Sequence, residues 1–387
     1  MSILHNFLLA LAAGTTLLYV LASVSLYFGN RRIANLLDTP PLTGPDAPAV
    51  SVVFAARDEE RGIERALQSM LQEDYPNYEV IAVNDRSTDG TGEVLERMAR
   101  THERLRVVTV RELPAGWLGK NHALHIGAEQ ASSEFLVFTD ADIVMEPTAL
   151  ARAVHYALRH HLDHLAVSPR TEMRGFLLNA LFGLFALSFN AFVQPWKTRD
   201  PKSRKHIGIG AFNLVRTSVY RALGGHEPIR MRPDDDMKLG KLIKNRGYRQ
   251  DFAIGSTMLS VEWYPSLQAM MGGLMKNMFA GLDYRVSAAV VSAASLIVTY
   301  VWPFLALALT TGSVRTLNAL LALTVLVVFA TAAGYMNIPL TCAFAVPLSA
   351  LLFAWIILRS MTVTLWNGGI EWRGTRYPLD ELRANKL

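Results

Sequence analysis

Apolar residues follow two different patterns along the chain. Between residues 49 and 140, short apolar runs alternate with stretches in which apolar positions recur every three or four residues. AVSVVFAAR (49–57), YEVIAVND (78–85), LRVVTV (105–110) and EFLVFTD (134–140) have strand length and are rich in Val. EERGIERALQSMLQ (59–72) sets Ile63, Ala66, Leu67, Met70 and Leu71 at helical spacing. GTGEVLERMAR (90–100) and KNHALHIGAEQA (120–131) are predicted as the next two helices. Strands alternating with helices predict βαβ units and a parallel, doubly wound sheet. Ligands of such sheets bind beyond the carboxyl ends of the strands. Arg57-Asp58, Asn84-Asp85 and Asp140-Ala141-Asp142 each fall just past a predicted strand end, so all three are expected to face one crevice.

The second pattern is the long unbroken apolar block. FLLALAAGTTLLYVLASVSLYF (7–28) and most of 286–365 contain runs near the roughly 20 residues that span a bilayer. They account for a chain of 387 residues that is 51% hydrophobic and only 18% charged. A secretory signal carries its positive charge ahead of the apolar core. Here Arg31-Arg32 follow it and place the next residues in the cytoplasm. The single cysteine, Cys342, lies in an apolar span, so no disulfide framework exists. The net charge of +5 points to anionic lipid rather than nucleic acid, for which no motif is present.

These patterns predict an integral protein of the inner or plasma membrane with a cytoplasmic domain. Residues 1–30 form an N-terminal transmembrane helix and 31–48 a linker containing the Pro-rich PPLTGPDAP (40–48). Residues 49–285 form the soluble domain, 286–366 a membrane region of two or three spans, and 367–387 a tail. Within the membrane region, 286–310, 317–335 and 340–365 have span length. Three spans would put the tail outside, whereas Arg373, Arg376, Arg383 and Lys386 favour inside, so one segment, best the first, is expected to be re-entrant or interfacial. GFLLNALFGLFALSFNAFVQPW (175–196) would cut the domain in two if it crossed the membrane, and Asn179, Asn190 and Gln194 interrupt it. It is expected to lie in the interface or to line an acceptor groove. The basic KTRDPKSRKH (197–206) is a solvated loop, a headgroup contact or a flap.

Four segments carry candidate chemistry. Asp140 and Asp142 at a strand's carboxyl end suit Mg2+ or Mn2+ with substrate phosphates completing the shell; a turn before Pro147 would use the same residues. In VNDRSTDGT (83–91), Ser87 or Asp89 is expected to cap a helix, while Asn84 and Asp85 could accept hydrogen bonds from a base or ribose. Gly119-Lys120 in GWLGKNHAL (116–124) precede a helix N-terminus, a natural seat for phosphate. RPDDDMKLGKLIKNRGYR (232–249) starts a helix with three aspartates, more than the helix dipole needs, and one could act as a general base. HHLDH (160–164) with His155 fits no standard zinc spacing.

In this order, SVVFAARDEE, VNDRSTDGT, GWLGKNHAL with FTDAD, and DDDMKLGKLIKNRGYR resemble the membrane-bound family 2 glycosyltransferases of the GT-A fold. The branch most similar contains ceramide glucosyltransferase, hopanoid-associated and staphyloxanthin-type carotenoid glycosyltransferases, and NGGIEWRGTRYPLDE (367–381) resembles it too. The resemblance implies a Rossmann-like, nucleotide-sugar-binding α/β domain flanked by transmembrane helices. It implies Ala56, Arg57 and Glu59 on the first nucleotide-binding loop, Asn84 and Asp85 at a uridine, and Lys120 beside the diphosphate. It implies Asp140 and Asp142 at the metal and nucleotide sugar, and the pair Asp235-Asp236 with Asp236, three residues before Leu239, as base. Asn84 stands where many members have aspartate, which leaves the base open, UDP being the expected donor nucleotide. The Q-x-x-R-W motif of processive synthases is absent; QAMMGGLMKNMFAGLDY (268–284) stands there.

The implied reaction is an inverting, metal-assisted transfer from a nucleotide sugar to a lipid or lipid-linked hydroxyl. A glycan polymerase of the same family and an inactive membrane scaffold are the competing readings. A dehydrogenase would need G-x-G-x-x-G after the first strand, and FAARDEERG has none.

Overall fold

The computed structural model describes residues 3–387. The chain forms two compact units. One gathers residues 32–172, 195–262 and 381–387; the other gathers 3–31, 173–194 and 263–380.

The first unit is built on an eight-stranded sheet. In chain order its strands are β1 (Ala34–Asn35), β2 (Val50–Ala56), β3 (Tyr78–Asp85), β4 (Leu105–Val110), β5 (Phe135–Asp140), β6 (His164–Ser168), β7 (Asn213–Arg216) and β8 (Gln250–Ile254). Their spatial order is β1-β8-β6-β7-β5-β2-β3-β4. Central β2 is buried on both faces, which is why it reads as a continuous apolar run. The helices Ile63–Leu71, Thr91–Ala99 and Gly119–Glu129 follow β2, β3 and β4 as the periodicity predicted. One core joins Val53, Ile81, Val83, Leu136 and Phe138 of the sheet to Ala123, Leu124, Leu239 and Ile243 of the helices. Residues 34–38, within the stretch read as linker, supply edge strand β1 and a short 3-10 turn.

The sheet is not wholly parallel, which corrects the sequence expectation. Strand β7 runs antiparallel to both β5 and β6. After β6 the chain leaves at the carboxyl edge, makes the long excursion through residues 173–212, and re-enters from that same edge. It therefore runs antiparallel to β6, although the excursion includes the helix Phe176–Val193. A second, three-stranded sheet pairs Leu259–Glu262 with Val144–Met145 and Arg170–Glu172.

The other unit is helical. Among the described residues, four helical stretches are long and apolar enough to cross a membrane: Ile3–Asn30, Phe176–Lys197, Gly312–Met336 and Leu340–Trp366. Val286–Tyr300 and Trp302–Leu309 form a pair bent by 48°, a broken span or a re-entrant loop, which raises the number to five if counted. Pro303 at the start of the second helix lacks the N–H that would continue the first. Leu17, Leu18, Leu21, Leu320 and Leu323 point outward and exposed, an apolar exterior that fits lipid rather than water. Phe185 packs against Phe189, Trp263 and Phe353. The helix Leu267–Gly281 lies in this unit, with the Phe279 N–H donating to Ser360 Oγ at 3.2 Å.

Candidate active site

Register brings the predicted strand ends together. Ala56 of β2 pairs with Asn84 of β3, and Ala55 pairs with Asp140 of β5. The loops leaving β2 and β3 are then laced to each other. The Asp58 N–H donates to Ser87 Oγ, the Glu59 N–H to Thr91 Oγ1 at 2.8 Å, and the Glu60 N–H to Asp89 Oδ2. In return, Asp58 Oδ1 accepts from the Thr88 N–H and Glu60 Oε2 from the Gly90 N–H. Asp89 Oδ1 also accepts from the Thr91 N–H and hydroxyl, one residue ahead of the N-cap Gly90, which has no side-chain cap. Arg57 points toward Asp58 at 3.9 Å. Asn84 Oδ1 accepts from the Ser87 N–H. Asp85 is buried and gripped through both oxygens by the neighbouring Arg86, at 2.7 and 3.1 Å.

Beyond β5 lies the charged centre. Lys120, in the first turn of the helix Gly119–Glu129, places its ammonium 2.7 Å from Asp140 Oδ1 and 3.6 Å from Asp235 Oδ1. It thus joins the two acidic segments that sequence reading had treated separately. Burial alone would lower its pKa, but the carboxylates of Asp140, Asp235 and Asp236 outweigh that and hold it well above the ordinary lysine value.

The three aspartates at 234–236 divide their roles. Asp234 forms a two-point pair with Arg232, at 3.0 and 3.3 Å, and reaches Lys238 at 3.4 Å, without capping the helix through its side chain. Asp235 is buried against Lys120. Asp236 Oδ2 accepts from the Gly210 N–H at 2.8 Å and Oδ1 from the Met237 N–H at 2.7 Å. Burial and the Asp235 charge push its carboxyl up to about 7, against the opposing pull of Lys120. Asp142 is exposed, yet partial loss of water and the charges of Asp140 and Glu59 push it up to about 7 as well. Among the described residues no three His, Cys, Asp or Glu side chains are grouped to hold a metal by themselves. Asp140 with Asp142 is instead a two-carboxylate donor set. A hard divalent cation fits it if water and phosphate oxygens complete the shell.

Several supporting residues escaped sequence reading. Buried Asn121 donates its amide to the carbonyls of Ile229, at 2.8 Å, and Arg232, at 2.9 Å. From the tail, Asn385 accepts from the Met231 N–H and donates to the Pro228 carbonyl. Together they clamp the 228–232 loop that leads into the aspartates. His164, Asn213 and Gln250, one from each of β6, β7 and β8, form a buried network. Its outer arms hold the N–H groups of Ile207 and Ile209, framing the segment that presents Gly210 to Asp236. A buried polar residue inside an apolar strand was the only sequence signal for any of these. HHLDH does not assemble: His164 serves that network, His155 contacts the Pro40 carbonyl and His160 meets Arg199.

Residues 51–224 match the model of glycosyl transferase family 2. Over 346 residues the chain is 25% identical to a 4,4'-diaponeurosporenoate glycosyltransferase of Staphylococcus aureus, covering 86% of this chain and 89% of that protein. Among solved structures, a mannosyltransferase from Pyrobaculum calidifontis in complex with GDP-Man and Mn2+ superposes with a TM-score of 0.55 at 20% identity, covering 93% of this chain and 99% of that one. The fold is therefore of the GT-A type, with the acidic centre at the carboxyl edge of its sheet. The chain carries a family 2 glycosyltransferase domain, is related to the staphylococcal enzyme, and is itself a glycosyltransferase.

Proposed function

We propose that the protein transfers a sugar from a nucleotide sugar to the hydroxyl of a membrane lipid or lipid-linked acceptor, with inversion and with Asp236 as general base. The observation that carries this reading is the placement of Asp236. Two backbone N–H groups fix its carboxylate, and its pKa lies near 7, where a base is both ionised and strong enough to accept a proton. Asp236 takes the hydroxyl proton as the acceptor oxygen attacks the anomeric carbon. The bond to the departing diphosphate breaks in the same displacement. Lys120 sets positive charge beside the acidic segments where diphosphate oxygens would gather.

Asp140 and Asp142 are the residues that would hold Mg2+ or Mn2+, and when bound that cation supplies Lewis-acid charge neutralisation to the leaving group. The laced loops carrying Ala56, Arg57, Glu59, Asn84 and Asp85 form the nucleoside side of the crevice. UDP is the preferred nucleotide on sequence pattern, with GDP next because of the Pyrobaculum neighbour. The lipid acceptor rests on the membrane-length helices and on the carotenoid acid named for the staphylococcal relative.

The test is donor binding by purified protein in detergent. Calorimetry with UDP- and GDP-sugars, with and without Mn2+, is expected to show one nucleotide class bound only with the cation, and lost in Asp142→Ala. Equal cation-free binding in wild type and Asp142→Ala would refute the metal assignment.

A further inference from the structure

A cavity of about 10 Å3 lies against Asp235 and Asp236, about the least that holds one water. Polar Lys120, Thr139, Asn213, His226, Asp235 and Asp236 share its lining with Gly210 and with apolar Leu124, Phe138 and Leu239. The polar side chains of this lining are where a water would find the two to four partners it needs. His226 is the residue that nothing so far employs. It is 1% exposed and packs edge-on against Phe138, with ring centroids 4.9 Å apart.

The ring of His226 is oriented. Its Nδ1 lies 2.6 Å from the Tyr220 hydroxyl, which is itself buried. We assign the Tyr220 O–H as the donor, so that Nδ1 accepts and Nε2 carries the proton. Burial pushes the imidazole down to about 3, which keeps it neutral with one N–H. That N–H is the group His226 can offer to the cavity it lines.

We propose that His226 is a positioning residue for the base: its Nε2–H, through one water in this cavity, holds the Asp235–Asp236 carboxylate pair, and Tyr220 holds His226 in the tautomer that donates. The inference rests on the reading of Asp236 as base. The water would sit in the cavity that Asp235 and Asp236 line. Together with the Gly210 N–H it restricts the rotation of Asp236, leaving its other lone pairs for the acceptor. Misplacing a catalytic group by about 1 Å can cost on the order of a hundred-fold. Losing this restraint is therefore expected to lower turnover about 10- to 100-fold.

Four variants of the full chain in detergent test it: His226→Phe, His226→Gln, Tyr220→Phe and Asp236→Asn. Turnover and donor KM are measured with the donor nucleotide sugar and lipid extract, and folding is followed by thermal unfolding. The expected result is a fall in kcat for His226→Phe with donor KM within about two-fold of wild type. His226→Gln, whose amide N–H reaches the same place, is expected to recover most of the loss. Tyr220→Phe removes a single oxygen and is expected to fall between the two. A folded His226→Phe with wild-type kcat would overturn the proposal, as would a His226→Gln no better than His226→Phe. If His226→Phe fails to fold, Tyr220→Phe decides: an unchanged kcat there overturns the proposal. Full turnover in Asp236→Asn refutes the base reading itself, whereas an inactive Asp236→Asn beside a fully active His226→Phe refutes only the relay.

Discussion

Gly208 offers a sharp test of how the site is held. The segment 207–210 and the helix Asp235–Asn245 approach each other more closely than side chains permit. A Cβ built on Gly208 would stand 1.8 Å from the Asp236 carbonyl oxygen and 2.3 Å from its carbonyl carbon. One on Gly240 would stand 1.8 Å from the Ile207 carbonyl oxygen. Both obstacles are backbone, so no rotamer change relieves them. Non-bonded heavy atoms settle near 3.5 Å, so Gly208→Ala must push the two segments apart by roughly 1.5 Å. Overpacking of this kind typically costs about 1–3 kcal/mol. The functional cost is larger in proportion, because the displaced residues are Asp236 and the Gly210 N–H that orients it. A shift of about 1 Å at a catalytic group can cost on the order of a hundred-fold in rate. The control is Gly247→Ala at the far end of the same helix, where no atom lies within 4 Å of the added methyl, although a φ of +81° makes it strained. Thermal unfolding and sugar-transfer turnover are measured for both. Gly208→Ala is expected to lose about a hundred-fold or more in kcat with a lowered Tm, while Gly247→Ala loses stability alone. A Gly208→Ala protein with wild-type Tm and turnover would show that the close approach does not position the base.

Four further outcomes follow from the same geometry. Lys120→Met removes the cation that restrains the Asp236 pKa; the pH at which kcat/KM reaches half its maximum is expected to move upward, and an unmoved profile would contradict the coupling. In the wild type that profile is expected to rise with pH through about 7, because the base works only when ionised; a rate flat from pH 5 to 8 would contradict the base. His164 is held neutral at about 4, against about 6.5 in an unfolded chain, so the unfolded state binds the extra proton. The contribution of His164 to stability is then expected to fall by about 3 kcal/mol between pH 6.5 and 4, and His164→Gln, measured by urea unfolding, is expected to remove that part of the pH dependence. Truncation after Leu382 removes Asn385 from the 228–232 loop and is expected to lower kcat several-fold while leaving donor binding intact, checked by turnover beside calorimetry.

The nucleotide-facing half of the sheet was legible in the sequence because each of its strands is a short apolar run followed by an amphipathic helix. The strands from 164 onward were not. Asn213–Arg216 is four residues long, and Gln250–Ile254 opens with Gln250-Asp251, polar residues whose partners lie on other elements: His164 on β6, and Tyr156 and Gly240 on helices. Antiparallel β7 was invisible because its direction is set by a long excursion, not by its own residues. At the site, the acidic residues were found from their position past strand ends. Their division of labour was not, since Asp234, Asp235 and Asp236 differ only in what faces them: Arg232, Lys120 and the Gly210 N–H. Asn121 and Asn385 act through contacts more than 100 residues away and His226 lines a cavity shared with distant residues, and no local pattern encodes such contacts.

The most direct test of the central claim follows the sugar itself. Purified protein is incubated with a radiolabelled nucleotide sugar, a divalent cation and a membrane lipid extract, and the label is measured in the organic phase after partition. Wild type is expected to move label into lipid, and Asp236→Asn, folded and binding donor normally, is expected to move about a hundred-fold less. Label appearing in lipid at equal rates with both proteins would contradict the account.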